Sequence, residues 1–118
     1  MGKRLGAVRI SPQVLATTAR LAALSVPGVV SMHHDLSSGV DRWLRGKGTG
    51  EGVYIQLVDD AVSVDLYIVA AKNVNLYELG CEIQSRVARA IQEMVGMPVL
   101  AVNVHIEDVE TSVKDEAS

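Results

Sequence analysis

Three histidines, one cysteine and a few neighbouring carboxylates are the side chains in this sequence whose types and spacing bear on chemistry. His33 and His34 are adjacent, so on a strand they point to opposite faces and do not bind one ion together. His105 has Glu107 two residues on, along the same strand face, and these spacings match no zinc pattern. Cys81 is the sole cysteine, which excludes an internal disulfide, and no neighbouring cation marks it as a nucleophile. Serines are present without a G-x-S-x-G elbow. Asp59 and Asp60 read as solvated turn formers, and Asp65 falls on the strand face opposite Val64 and Leu66. Gly46-Lys47-Gly48-Thr49-Gly50 has the composition of a phosphate cradle. However, Gly48 separates Lys47 from Thr49 and no helix follows, so a flexible connector is the plainer reading. These residues assign no catalytic group, no metal site and no cofactor.

The segment that stands out is 36–47. Leu36, Val40, Trp43 and Leu44 recur at helical spacing, with Arg42, Arg45 and Lys47 as nearby cations. An apolar edge, one tryptophan and basic flanks make an interfacial amphipathic helix that would rest on an anionic lipid surface. The plainer alternative packs Trp43 on its own domain, on a neighbouring subunit or on a protein partner.

The whole chain bounds these readings. It has 118 residues, 48% hydrophobic and 21% charged, enough for one core and too apolar for disorder. No apolar run approaches the ~20 residues that span a bilayer, and the first residues do not read as a signal peptide. The net charge of −3 conceals an asymmetry: residues 1–50 carry seven Lys/Arg and two acids, residues 51–118 four Lys/Arg and twelve acids. An acidic second half and a scarcity of aromatic residues (Trp43, Tyr54, Tyr67 and Tyr77) argue against a base-stacking platform. No nucleic-acid partner is expected. An RNA- or nucleotide-binding module built on the basic, glycine-rich loop 42–50 is the alternative.

Residues 7–10 resemble a short strand leading to a helix capped by Ser11, with Pro12 at its first position. Leu15, Ala19, Ala22, Ala23 and Val26 form its stripe, widened by Val14, Leu21 and Leu24, before Pro27-Gly28 stops it. Residues 29–32 read as a strand. Residues 53–58 and the alternating run from Val62 to Ile68 read as a hairpin turning at Asp59-Asp60. Asn75 and Glu78 predict a capped second helix. Its stripe is Leu76, Leu79, Gly80, Ile83, Val87, Ala90, Ile91 and Met94, and Gly96 caps its end. Leu100, Val102, Val104 and Ile106 alternate as a last strand, and from Asp108 the chain reads as a solvated tail. The expectation is a single two-layer α+β domain over 7–109, with an acidic tail at 110–118. Its mixed sheet would have three to five strands, with two amphipathic helices on one face.

Ile10-Ser11-Pro12-Gln13-Val14-Leu15-Ala16, the run from Ala23 to Met32, Val64-Asp65-Leu66-Tyr67-Ile68-Val69 and Val102-Asn103-Val104-His105-Ile106 resemble the alkaline shock protein family. The resemblance runs from about residue 8 to residue 109. It implies a non-enzymatic cytoplasmic protein linked to stress and cell-envelope homeostasis. Such a protein self-associates and sits at the inner face of the membrane through a membrane-anchored protein partner. The long charged terminal extensions of some stress-induced members are absent, so a housekeeping paralogue fits equally. The family brings no catalytic motif to carry over.

Overall fold

The computed structural model describes residues 5–33, 47–48 and 51–111, with the backbone alone at 47–48. In chain order the elements are α1 (Pro12–Leu24), β1 (Val29–Met32), β2 (Lys47–Gly48), β3 (Val53–Val58), β4 (Ala61–Ala71), α2 (Leu76–Ala90) and β5 (Val99–Glu110). The strands form one mixed, five-stranded sheet built around β4. Along one edge β4 pairs antiparallel with β3, from Ala61 to Leu66, and then with β1, from Ile68 to Ala70. Along the other it pairs parallel with β5. A parallel neighbour needs a crossover, and α2 provides it. β2 adds to the outer edge of β3. The α+β expectation, two helices on a mixed sheet, is what the chain adopts.

The core lies between the sheet and the helices. Every second residue of β4, from Val62 through Val64, Leu66 and Ile68 to Ala70, is fully buried. Leu15, Ala16, Ala19 and Ala23 of α1 and Leu79, Ile83 and Val87 of α2 close over them. The alanines bring α1 close and leave its buried stripe narrow. Val14, Leu21 and Leu24 therefore stay exposed rather than widening it, which corrects the sequence reading. In the same way Leu76 and Met94, at the two ends of the second stripe, lie outside the core.

Local signals set the helix ends. Ser11 Oγ accepts the Val14 N–H at 3.4 Å, and Asn75 Oδ1 accepts the Glu78 N–H at 2.9 Å. After α2 the chain widens into a π-helical stretch, Ile91–Val95, which keeps Ile91 buried. Gly96 then takes a left-handed conformation and donates its N–H to the Ile91 carbonyl. Sequence periodicity gives no sign of that π turn.

Two further readings are corrected. Residues 7–10 form no strand: no described strand edge pairs with them, and Val8 is exposed to solvent. The strand β5 runs on through Asp108 and Val109 to Glu110, which pair with Val69, Ala70 and Ala71, so the chain is still in the sheet where a solvated tail was expected to begin.

Where β3 gives way to β1 along β4, the backbones crowd. Tyr67 donates its N–H to the Gly52 carbonyl at 2.9 Å, and its own carbonyl accepts the His33 N–H at 2.7 Å. Gly52 sits at φ +77°, and a Cβ there would lie 2.8 Å from the carbonyl oxygens of both His33 and Tyr67. This junction needs glycine for its conformation and for its space.

Candidate functional site

The sheet face turned away from the helices gathers much of the chemistry-bearing side chains. Asp65 and Tyr67 alternate with the buried residues of β4, and pairing sets Tyr54 beside Asp65 and His105 beside Tyr67. The His105 imidazole stacks on the Tyr67 ring, with centroids 4.3 Å apart and planes within 7°. Tyr54 meets Tyr67 edge-on at 5.5 Å. His105 Nε2 lies 3.4 Å from Asp65 Oδ1, both side chains being part-exposed. The cluster does the work of packing and polar pairing. Tyr67 takes part through the parallel β4–β5 register, which a single strand's alternation does not reveal.

His33 joins the sheet by its backbone, and His34 lies outside the described residues. A register shift between Ile68 and Val69 lets β5 bulge after Ile106, so Glu107 leaves the ladder instead of following His105 along one face. Among the described residues no group of three or more His, Cys, Asp or Glu side chains is placed to hold a metal ion. Cys81 is exposed on the flank of α2.

Of the sequence-predicted interaction residues, Leu36, Val40, Arg42, Trp43, Leu44 and Arg45 lie outside the described residues. Lys47 is described by its backbone, which with Gly48 forms β2 against Ile55 and Tyr54. These two residues are thus strand, which corrects their reading as part of a flexible connector.

The helix layer carries a surface that sequence reasoning missed. α1 and α2 leave an open groove of about 760 Å³ between their outward sides, floored by Leu21, Ala22, Ala90 and Met94. Leu21 is 56% exposed and Met94 76%. Arg86 spans one end, donating from Nη1 to Ser25 Oγ at 3.2 Å and pairing with Glu82 at 3.1 Å. Arg89 faces Glu93 along the rim at 4.0 Å. The signal for this groove was the excess of apolar residues on α1, Leu21 above all, over what one sheet can cover. No helix among the described residues is long and apolar enough to cross a membrane.

Residues 1–111 match the family profile of alkaline shock protein 23, described as having a cell envelope-related function. The chain belongs to this family. Among curated alkaline shock relatives, the uncharacterized protein Spy1535 of Streptococcus pyogenes is 32% identical over 106 residues, covering 89% of this chain and 80% of that one. The uncharacterized protein YqhY of Bacillus subtilis is 28% identical over 110 residues, covering 93% and 82%. Among solved structures, a variant of the MamM CTD aligns with a TM-score of 0.53 at 17% identity, covering 85% of this chain and all of that one. The nickel form of another MamM CTD variant aligns at 0.52 and 16% identity, covering 83% and 99%. At this identity the likeness is one of fold.

Proposed function

We propose that this alkaline shock family member is a non-enzymatic interaction protein that self-associates and docks at the cytoplasmic side of the membrane through a membrane-anchored protein partner, in support of cell-envelope homeostasis. The observation that carries the reading is the α1–α2 groove, where exposed Leu21 and Met94 lie beside one charged rim, formed by Glu82, Arg86, Arg89 and Glu93, and suit an apolar helix of the partner. The family's cell envelope-related function supports the setting. Residues Leu36, Val40, Arg42, Trp43, Leu44, Arg45 and Lys47 form the second contact of this proposal, against the partner or the anionic leaflet beside it.

Fractionation of cells producing the full chain tests the reading. The protein should sediment with membranes, fail to bind membranes stripped of protein by protease, and lose retention on Leu21→Glu or Met94→Glu with its helix content unchanged. Equal retention on protein-free anionic vesicles would replace the partner by lipid. A wholly soluble distribution would remove docking altogether.

A further inference from the structure

β5 is bonded to β4 along one edge, and no described residue pairs with its other edge. The direction of its peptide groups follows from the ladder. Val62 donates to the Pro98 carbonyl, whereas Tyr67 and Ala71 donate to Gly52 and Gly28, so even-numbered residues of β4 face β5 and odd-numbered ones face β3 and β1. With Val64 in register with Val102 and Leu66 with Val104, residues 101, 103 and 105 bond to β4. Val102, Val104 and Ile106 therefore turn their N–H and C=O groups outward. An independent bond agrees: Gln84 Nε2, reaching down from α2, donates to the Val102 carbonyl at 3.1 Å.

We infer that this edge is where two copies of the chain join, β5 to β5 in antiparallel pairing about a two-fold axis through Val104. The inference rests on the self-association part of the function proposed above and names its surface. Three observations select a second copy as the occupant. The outward row is self-complementary: each Val104 meets its equivalent, and each Val102 meets the other copy's Ile106, so every outward donor and acceptor of the row finds a partner. Charge fits as well. The stretch from Val99 to Ile106 has no Lys, Arg, Asp or Glu, so the paired row sets no two like charges opposite each other. Finally, the row from Ala101 to Ile106 carries no lysine and no proline, two of the devices that keep a free edge single, and the bulges of β5 lie on either side of it. The Val102 carbonyl has a second lone pair, so the Gln84 bond does not block a partner strand.

The helix layer continues the contact. Gly80, Cys81 and Leu76 of α2 share a shallow pocket of about 360 Å³ with Val104 and Ile106, beside the proposed axis. Two-fold symmetry then sets the α2 helices side by side across the joint, with their Cys81 thiols facing the same gap.

Sedimentation velocity of the full chain, together with crosslinking by a short bis-maleimide through Cys81, tests this. A dimer or a multiple of it is expected, with a covalent dimer that disappears in Cys81→Ser. Val104→Pro, which removes an outward N–H, should raise the dissociation constant at least tenfold. Because proline can also unfold the strand, Tyr77→Glu provides the second variant. Tyr77 is 81% exposed at the mouth of the same pocket, so the change should weaken dimer and crosslink with the monomer fold intact. A self-associated protein whose Cys81 does not crosslink and whose affinity survives both variants would overturn edge pairing and leave self-association standing. A monomer at high micromolar concentration would overturn both.

Discussion

His105 and Tyr67 stand side by side on neighbouring parallel strands, with ring planes within 7° and centroids 4.3 Å apart. This contact ties β5 to β4 on the face that the helices do not cover. Stacked aromatic pairs contribute roughly 0.5–1.5 kcal/mol beyond the area they bury. A double-mutant cycle with Tyr67→Leu and His105→Leu, read by urea unfolding, should give a coupling energy of that size. A coupling near zero would reduce the pair to ordinary surface packing.

Gly52 and Gly80 should respond in opposite directions to alanine. At Gly52 the new Cβ meets two carbonyl oxygens at 2.8 Å in a left-handed backbone, and a loss of about 2–3 kcal/mol is expected. At Gly80, mid-helix with nothing within 4 Å of the added carbon, alanine should stabilise by about 0.5–1 kcal/mol. Thermal unfolding of the two variants against the parent decides the matter, and a neutral Gly52→Ala would mean that β1 can shift away from the junction.

The two helix caps should rank by their bond lengths. Asn75 Oδ1 accepts at 2.9 Å and Ser11 Oγ at 3.4 Å. Asn75→Ala is expected to cost about 1 kcal/mol, with Ser11→Ala clearly less. Chemical denaturation of both variants gives the comparison, and an inverted order would contradict it.

Trp43 is the sole tryptophan and lies in the segment proposed to meet the partner or the leaflet. Its emission should not change on addition of neutral vesicles. A blue shift with anionic vesicles alone would put residues 36–47 on lipid. Emission already blue in buffer and indifferent to lipid would mean that the ring is packed in protein, and would direct the search to the partner.

Much of the fold was legible because its signals are local. The hairpin turning at Asp59-Asp60, the Asn75 cap and the Gly96 stop each depend on residues a few positions apart, and each stands where the sequence put it. What failed depends on distant chain. Residues 7–10 have the alternation of a strand, yet alternation cannot supply an edge to pair with. The exposure of Leu21, on one side of the groove, follows from how closely the alanines of α1 approach the sheet, and that of Met94 from the π turn that keeps Ile91 buried. Asp65 and His105 were both singled out as polar strand residues. Their meeting, and the stacking of Tyr67 between strands, follow from a parallel register that sets Tyr67 beside His105 and Asp65 one step along the same face.

The alternation of peptide directions along β4 makes this one strand a two-channel recorder for amide hydrogen exchange. Amides of Val62, Val64, Leu66 and Ile68 are shielded by β5, and those of Tyr67 and Ala71 by the chain on the opposite side. Fraying of β5 alone would open the first set to solvent deuterons and leave the second protected, while loss of the Gly52 and Gly28 contacts on the opposite side would do the reverse. Neighbouring amides along a single strand would thus exchange on separate clocks, and only when both sides open together would the two rates merge.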